Sequence, residues 1–331
     1  MTQPRTVTLS VSPQNPDPAA LAAAAAVLRR GGLVAVPTET VYGLGANALD
    51  AEAASRIFVA KDRPADNPLI VHVDSLDMAR GLVSDWPETA ERLARAFWPG
   101  PLTLVLPKSS RVPDLVTAGL PAVALRMPAH PVALALIRDA GLPIAAPSAN
   151  RSGKPSPTDA AHVLADMDGR IDMILDGGPA AVGIESTVLS LLGDPPMVLR
   201  PGGISLEQLR AVDPRIGYGA DHGKVSPGTR YRHYAPKAPV SRLQGSAEVA
   251  AEVNRLLAEG KSVGVLTHER LDLASEVVVA QVPADPDGYA AEFYRALRRL
   301  DTHDLDRILL LDPPTGGRWD AVRDRVVRAS S

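Results

Sequence analysis

Two short apolar runs flank a helical pattern between residues 33 and 73, and this arrangement constrains the fold more than any other feature of the chain. The runs at residues 33–36 and 69–73 are rich in β-branched residues and bounded by Pro or Asp, which is typical of buried strands. Between them, Asp50 stands at the N-cap position of a predicted helix over residues 51–61. The sequence therefore predicts a strand–loop–helix–loop–strand unit within an α/β fold.

The two loops of this unit carry a concentration of polar side chains. The first loop supplies hydroxyl and carboxyl groups and the second supplies cations and an amide: Thr38, Glu39, Thr40 and Tyr42, then Lys61, Arg63 and Asn67. Both loops lead to one edge of the predicted sheet, where hydroxyls and a Lys-x-Arg pair together indicate a site for an anionic ligand. Taken singly, each loop favours an ordinary solvated turn, so the prediction depends on the combination.

Length and composition limit the classes of protein to which this chain can belong. With 331 residues, 45% of them apolar and 22% charged, it is predicted to be a soluble globular protein of two domains. The net charge of −3 gives no general attraction to nucleic acids or anionic membranes. The absence of cysteine excludes disulfides, a thiolate nucleophile and cysteine metal sites. No secretory signal or bilayer-spanning apolar stretch is visible, so we expect a cytoplasmic location.

The rest of the first half alternates predicted helices and strands. Helices are predicted over residues 18–30, 75–83, 87–98, 131–140, 157–167 and 205–211, and strands over 102–106, 123–126, 143–147, 173–175, 186–192 and 197–199. One strand end carries Ser148 and Asn150. Ser156 is predicted to cap the helix that follows, whose N–H groups and dipole favour a nearby anion.

From residue 216 to residue 239 the apolar periodicity disappears into Gly, Pro, Tyr, His and Arg, which indicates a linker. Beyond it, helices are predicted over 247–259, 289–300 and 319–327, and strands over 263–267, 276–282 and 307–311. This alternation is typical of a small open α/β sheet. We therefore expect a catalytic domain over residues 1–215, a linker over 216–239 and a smaller α/β domain over 240–331.

Seven motifs follow one another over residues 33–236: PTETVYGLGANA, KDRPADNPLIVH, ALRMPAHP, APSANRSGKPSPT, GIESTV, LRPG and SPGTRYRHYAP. Together they resemble the YrdC-like family in its long, two-domain threonylcarbamoyl-AMP synthase form. The resemblance implies a YrdC-like twisted mixed sheet with an open concave face and a smaller C-terminal open α/β (Rossmann-like) domain. It also implies condensation of L-threonine, bicarbonate and ATP into threonylcarbamoyl-AMP and pyrophosphate. Downstream tRNA threonylcarbamoyl transferase proteins would use that product to make N6-threonylcarbamoyladenosine in tRNA.

The resemblance also assigns residues to the two substrates. The ATP-binding set is Lys61, Arg63, Asn67, Ser148, Asn150, Ser156, Arg200 and Tyr234, with Lys61 and Arg63 as the catalytic cations. The threonine-binding set is Thr40, His72, Arg126 and Ser186. These residue types suit the chemistry, because nucleotidyl transfer needs cations that neutralise phosphate oxygens while the reactants are held in line.

Each assignment has an ordinary structural alternative. Arg126 stands in an apolar strand, where a charge without a partner is costly, so we expect a substrate carboxylate to supply that partner. His72 is about as readily explained as a hydrogen-bonded core histidine. Thr40 could be a turn residue and Ser186 the start of a strand, and the Lys-x-Arg pair could interact with a helix C-terminus.

The residues predict no metal site made by the protein alone, so magnesium is expected to arrive on the ATP phosphates. A P-loop is excluded, because Gly153-Lys154 is followed by Pro155 and the upstream glycine spacing is missing. The alternative function is a non-catalytic RNA- or nucleotide-binding YrdC-like module, which the net charge and the 4% aromatic content disfavour. Carbamoyl transfer in hydrogenase maturation would need acylphosphatase-like and zinc-finger segments, which this sequence does not contain.

The linker carries a further hypothesis. Its run of Arg, Tyr and His is unlike a flexible Gly/Ser spacer, and we expect it to fold over the first domain as a lid. Tyr234, and less directly Arg232, would then contact the ATP phosphates and exclude water. A simple tether whose aromatic side chains pack on the second domain is the alternative.

Overall fold

The structure, a computed structural model, describes residues 5–219 and 234–330. Its strands form two sheets. An eleven-stranded sheet lies in residues 5–219, here called the first unit, and a four-stranded sheet lies in residues 234–330, here called the second unit. The candidate ligand site lies in the first unit, so the path of its sheet matters most.

The large sheet is mixed. Its strands are β1 Val7–Ser10, β2 Val34–Val36, β3 Gly43–Asn47, β4 Ile70–His72, β5 Leu102–Pro107, β6 Ala122–Arg126, β7 Ile144–Ala145, β8 Met173–Asp176, β9 Thr187–Ser190, β10 Met197–Arg200 and β11 Gly217–Tyr218. Their order across the sheet is β1-β8-β2-β3-β7-β4-β6-β5-β9-β10-β11. Strands β2 and β3 pair antiparallel, whereas β4 and β6 run parallel with His72 beside Arg126. The predicted mixed sheet is confirmed, and two predicted threonine contacts are neighbours in it.

The helices of the first unit, except α4, begin after a residue whose side chain caps the first turn. They are α1 Pro18–Arg29, α2 Ala51–Lys61, α3 Leu76–Arg80, α4 Glu88–Phe97, α5 Pro131–Ala140, α6 Ala160–Met167 and α7 Leu206–Val212. The carboxylate of Asp50 accepts backbone N–H bonds at the start of α2, as predicted, and that of Asp17 does the same at the start of α1. Ser205 and Gln208 form a capping box at the start of α7.

Three features of the first unit differ from the prediction. Residues 43–47, predicted as a glycine-rich loop, form β3, because small residues let this strand lie close to its neighbours. A Cβ on Gly45 would come within 2.9 Å of Ile144. Helix α6 is capped by Asp159 rather than by Ser156, whose side chain bonds elsewhere. The short strands β1 and β11 were not predicted, since a few residues at a sheet edge carry little periodicity.

The second unit contains the predicted small open α/β sheet. Its elements are β12 Val240–Leu243, α8 Ser246–Ala258, β13 Val263–Thr267, β14 Val278–Gln281, α9 Pro286–Leu300, β15 Arg307–Leu311 and α10 Trp319–Ala329, and the strand order is β12-β15-β13-β14. Every pair in it is parallel. The prediction missed β12, which follows the linker directly.

The two units share an apolar core. Val41 and Ile184 of the first unit belong to the same buried cluster as Tyr294 and Phe293 of α9. Gly183, with φ +75°, allows this close approach, because a Cβ there would lie 2.4 Å from the backbone oxygen of Ala290. The second unit is therefore packed against the loop that leads into β9, beside the predicted threonine-binding residue Ser186.

Candidate active site

A cleft opens where the ends of β2, β4 and β6 meet the loops before β9 and after β10. Its lining residues are Thr38, Thr40, Val41, Gly43, Arg63, Ile70, His72, Arg126, Ala146, Pro147, Ser148, Glu185, Ser186, Arg200 and Tyr234. All four residues predicted to bind threonine are among them. Of the predicted ATP set, four residues line this cleft, namely Arg63, Ser148, Arg200 and Tyr234, and four do not, namely Lys61, Asn67, Asn150 and Ser156.

Arg126 is the cation at the centre of the threonine set. Its Nη1 donates to the Thr40 hydroxyl at 2.9 Å, and its Nε donates to the carbonyl of Gly100 at 3.3 Å. The Thr38 hydroxyl lies 2.8 Å from that of Thr40 and donates to the carbonyl of Val41 at 2.6 Å. The strand end and the Thr-Glu-Thr loop are thus joined by one hydrogen-bonded chain that starts at a guanidinium.

The expectation that Arg126 lacks a protein partner is wrong. Its Nη2 lies 2.7 Å from Oε1 of Glu39, and both side chains are largely buried. The two atoms are close enough for an ion pair but lack the alignment of a hydrogen bond. Sequence reasoning gave Glu39 no role, because only the pairing of distant segments brings its carboxylate to β6. The acidic residue between two threonines in PTETVYG was the available signal.

His72 lies beside Arg126 and is 5% exposed. Burial, and then the positive charge of Arg126, lowers the pKa of His72 to about 3, so the imidazole is neutral at physiological pH. Its Nδ1 is buried and has no hydrogen-bond partner among the described residues. An uncharged imidazole in the lining of the cleft suits a neutral hydroxyl better than an anion.

Ser186 and Arg200 form the opposite side of the cleft. Arg200, 3% exposed, donates from Nη2 to the Ser186 carbonyl at 2.9 Å. The Ser186 hydroxyl lies 2.7 Å from the hydroxyl of Thr103 on β5. Ser186 directly precedes β9, so its backbone is fixed by the sheet while its hydroxyl stays at the cleft.

Lys61 lies beneath the cleft. Its ammonium is fully buried and donates to the backbone carbonyls of Ser148 and Asn150. Burial, and next the charge of Arg63, lowers its pKa well below the usual range for lysine. Lys61 therefore ties the end of α2 to the loop after β7, a supporting contact that the sequence did not predict.

The loop after β7 and the turn after α2 are both held by internal bonds. The Ser148 hydroxyl donates to the Asn150 side-chain oxygen at 2.6 Å, and the Asn150 amide donates to the carbonyls of Arg151 and Lys154 at 2.8 Å. In the other turn, Arg63 donates to the carbonyl of the buried residue Asn67 at 3.4 Å. The guanidinium of Arg63 reaches the cleft from this turn.

Ser156 and Glu185 meet beneath the Ser186 side of the cleft. The Ser156 hydroxyl donates to Oε1 of Glu185 at 2.5 Å, and both residues are buried. The motif GIESTV contains Glu185, but the sequence alone indicated no role for this carboxylate. A carboxylate between Ile184 and a buried strand was the signal, because such a group is normally paired. Its charged partner comes from the second unit, which no local pattern indicates.

Of the two residues that the lid hypothesis names, the structure describes Tyr234. It lines the cleft, is 4% exposed and packs against Tyr294 of α9, with ring centroids 5.3 Å apart and the planes tilted by 41°. The remainder of the lid hypothesis, including Arg232, lies outside the described residues. Tyr234 thus contacts helix α9 while it lines the cleft.

Within residues 5–219 and 234–330, no group of three or more His, Cys, Asp or Glu side chains is arranged to hold a metal ion. No helix in the described part of the chain combines the length and apolar character needed to cross a membrane.

The chain is similar to known proteins over both units. A family model described as "Telomere recombination" matches residues 26–202, and one described as "Threonylcarbamoyl-AMP synthase, C-terminal domain" matches residues 204–331. A Bacillus subtilis threonylcarbamoyl-AMP synthase is 48% identical over 337 residues, which span 98% of this chain and 96% of that relative. A Pyrococcus abyssi threonylcarbamoyl-AMP synthase is 49% identical over 319 residues, spanning 93% of each chain. The crystal structure of P. abyssi Sua5 complexed with L-threonine has a TM-score of 0.92 at 45% identity, covering 98% of each chain.

Proposed function

The chain belongs to the threonylcarbamoyl-AMP synthase family, and from this premise we propose how its cleft carries out the reaction. It is an ATP-using nucleotidyltransferase that condenses L-threonine, bicarbonate and ATP into threonylcarbamoyl-AMP for the modification of tRNA. Similarity to named enzymes over nearly the whole chain removes the non-catalytic RNA- or nucleotide-binding module as an alternative.

L-Threonine binds, in this proposal, on the Arg126 side of the cleft. The substrate carboxylate takes the Nη2 donor that Glu39 approaches without hydrogen-bond alignment. Arginine suits this exchange, because its planar guanidinium can bond a carboxylate through two parallel N–H donors. The substrate hydroxyl is recognised by the neutral imidazole of His72 together with Thr40, so the pocket discriminates by hydrogen bonds. Ser186 contacts the amino or carboxylate group of the amino acid from the opposite wall.

The ATP phosphates bind on the other side of the cleft, near Arg63, Ser148 and Arg200. The threonine amine first adds to bicarbonate with loss of water, and a carbamate oxygen then forms a bond to the α-phosphorus. The bond from that phosphorus to the pyrophosphate oxygen breaks, and pyrophosphate leaves. The protein holds the reactants in line and neutralises charge on the phosphate oxygens.

The predicted ATP residues that do not line the cleft keep a place in this proposal. Lys61 and Asn150 hold the loop that presents Ser148, and Lys61 retains one N–H donor beyond its two carbonyl bonds. We assign Lys61 and Arg63 together to phosphate charge neutralisation. Asn67 shapes the turn that carries Arg63, and Ser156 supports Glu185.

The observation that carries these assignments is that Thr40, His72, Arg126 and Ser186 line one cleft together with Arg63. The test is pyrophosphate release by the purified chain with ATP, bicarbonate and L-threonine, omitting one component at a time. We expect release only with all three present. Release that is independent of threonine and bicarbonate would contradict the synthase activity.

The proposal also covers the metal ion, the use of the product and the domain limits. Magnesium enters on ATP as part of the substrate, and the product passes to downstream tRNA threonylcarbamoyl transferase proteins in the cytoplasm. We also propose the domain limits 1–215 and 240–331, with residues 216–239 as a linker that acts as a lid and whose Tyr234 contacts the ATP phosphates. ATP and threonine together should then protect bonds near Arg230 from proteolysis.

A further inference from the structure

The carboxylate of Glu185 is a point at which the second unit reaches the cleft. Glu185 is 7% exposed and accepts bonds from three directions. Arg325 of α10 donates from Nε to Oε2 at 2.6 Å, and Tyr294 of α9 donates its hydroxyl at 3.0 Å. The third donor is the Ser156 hydroxyl of the first unit. Two donors 140 and 109 residues away along the chain therefore fix one cleft-lining carboxylate.

We propose that Arg325 and Tyr294 are positioning residues for the amino-acid side of the cleft, acting through Glu185. Glu185 directly precedes Ser186, so a fixed carboxylate also fixes the peptide that presents the Ser186 hydroxyl. This inference rests on the proposed function and gives the second unit a defined part in substrate binding.

The geometry supports a clamp on residues 185 and 186. Arg325 holds the Glu185 side chain from the second unit, while Arg200 donates to the Ser186 carbonyl from β10. The Ser186 hydroxyl then has little freedom, since Thr103 lies 2.7 Å from it on the sheet side. Displacing a substrate-binding group by a fraction of an ångström is costly for catalysis.

Arg325 also supports Tyr234, which lines the same cleft. Its guanidinium carbon lies 5.7 Å from the centroid of the Tyr234 ring, and the centroid of the Tyr294 ring lies 5.3 Å from the same centroid. Arg325 and Tyr294 therefore also fix the position of Tyr234, a second residue that lines the cleft. Stability alone is a weak explanation for this arrangement, because a fully buried ion pair is often no more stabilising than an apolar replacement.

The charged and titratable groups around Glu185 determine how its pKa should change when the contact with Arg325 is removed. They are Arg325 and Asp324 of α10, Tyr294 of α9, Arg200 of β10, and Tyr234. Burial alone would raise the pKa of Glu185, but Arg325, Arg200 and the Ser156 hydroxyl outweigh burial and lower it to about 2. Removing Arg325 should therefore let Glu185 become protonated at a higher pH.

The experiment compares Arg325→Met with Arg323→Met, a matched change on the same helix. Arg323 donates to the carbonyl of Pro313 within the second unit. We expect Arg325→Met to raise the Kd for L-threonine, measured by calorimetry, by about 10- to 100-fold. The KM for ATP should change less than about threefold, and Arg323→Met should match the wild type on both measurements, as expected for a surface change away from the site.

Two further measurements separate positioning from loss of folding. In Arg325→Met, kcat/KM for threonine should fall as the pH is lowered, over a pH range in which the wild-type value is constant. Arg325→Lys should retain part of the threonine affinity that Arg325→Met loses. Adding Glu185→Gln should make the Arg325→Met effect much smaller, because both changes act through one contact. If Arg325→Met does not fold, Tyr294→Phe carries the test, with a smaller rise in the threonine Kd and an unchanged melting temperature.

Unchanged threonine affinity in folded Arg325→Met, or in Tyr294→Phe if the former is unfolded, would overturn the positioning role. Equal losses in Arg325→Met and Arg323→Met would do the same. Threonine binding is measured apart from synthesis. A wild-type chain that binds threonine but releases no pyrophosphate would therefore contradict the proposed function, and the variant comparison would still decide this inference.

Discussion

Two buried carboxylate–guanidinium pairs border the cleft, and they differ in what they leave available. In the Glu39–Arg126 pair, the arginine lines the cleft and its contact with the carboxylate lacks hydrogen-bond alignment. In the Glu185–Arg325 pair, the arginine is fully buried outside the cleft and donates a well-formed bond at 2.6 Å. The first pair suits exchange for a substrate carboxylate, and the second suits permanent support.

This difference shows that burial and charge do not by themselves identify a binding residue. Both arginines are costly to bury, and both have carboxylate partners. What separates them is whether a ligand can reach the guanidinium and whether the internal bond is already satisfied. The comparison makes predictions that can be ranked by expected size.

The largest effect should follow the loss of the exchangeable pair. Arg126→Met removes the cation that binds the substrate carboxylate, so we expect kcat/KM for threonine to fall by about 10²- to 10³-fold, or roughly 3–4 kcal/mol. The variant also leaves Glu39 without its ion-pair partner. Adding Glu39→Gln should restore the melting temperature without restoring activity. Recovery of activity in that double variant would show that Arg126 supports the fold rather than the substrate.

A smaller effect concerns the permanent pair and pH. Glu185 has a pKa of about 2 in the folded chain against an ordinary value of 4.5, so the unfolded chain takes up a proton first as the pH falls. The stabilisation is complete above about pH 5 and is lost between about 4.5 and 2. That shift corresponds to about 3 kcal/mol. The difference in unfolding free energy between the wild type and Glu185→Gln should decrease by about 3 kcal/mol as the pH falls from about 4.5 to about 2. A difference that is independent of pH would contradict the role of Glu185.

Much of the surroundings of the Glu39–Arg126 pair could be predicted from the sequence, but little of the surroundings of the Glu185–Arg325 pair could. Arg126 and Thr40 stand in motifs whose residue types indicate a polar site, and the strands that carry them have clear apolar patterns. Glu39 was missed because its role depends on strand pairing across the sheet. Arg325 was missed because it is one of several charged residues on α10. Only the packing of the two units shows that its side chain reaches Glu185. The assignment of Ser156 as a helix cap failed for a related reason, since its hydroxyl bonds Glu185 instead.

The smallest effect tests whether the two walls have separate tasks. Serine lacks the methyl group of threonine and should be a weaker substrate by about 1–3 kcal/mol, while valine should be worse because it leaves buried polar groups unpaired. Thr40→Val should narrow the gap between threonine and valine, since it removes a hydroxyl from the wall that recognises the substrate side chain. Tyr294→Phe should weaken both substrates alike and leave their ratio unchanged, because Tyr294 acts on Glu185 rather than on the side chain. Competition assays with paired amino acids measure these ratios directly. If Tyr294→Phe changes the threonine-to-valine ratio as much as Thr40→Val does, the second wall also recognises the side chain, and the division between the two walls is wrong.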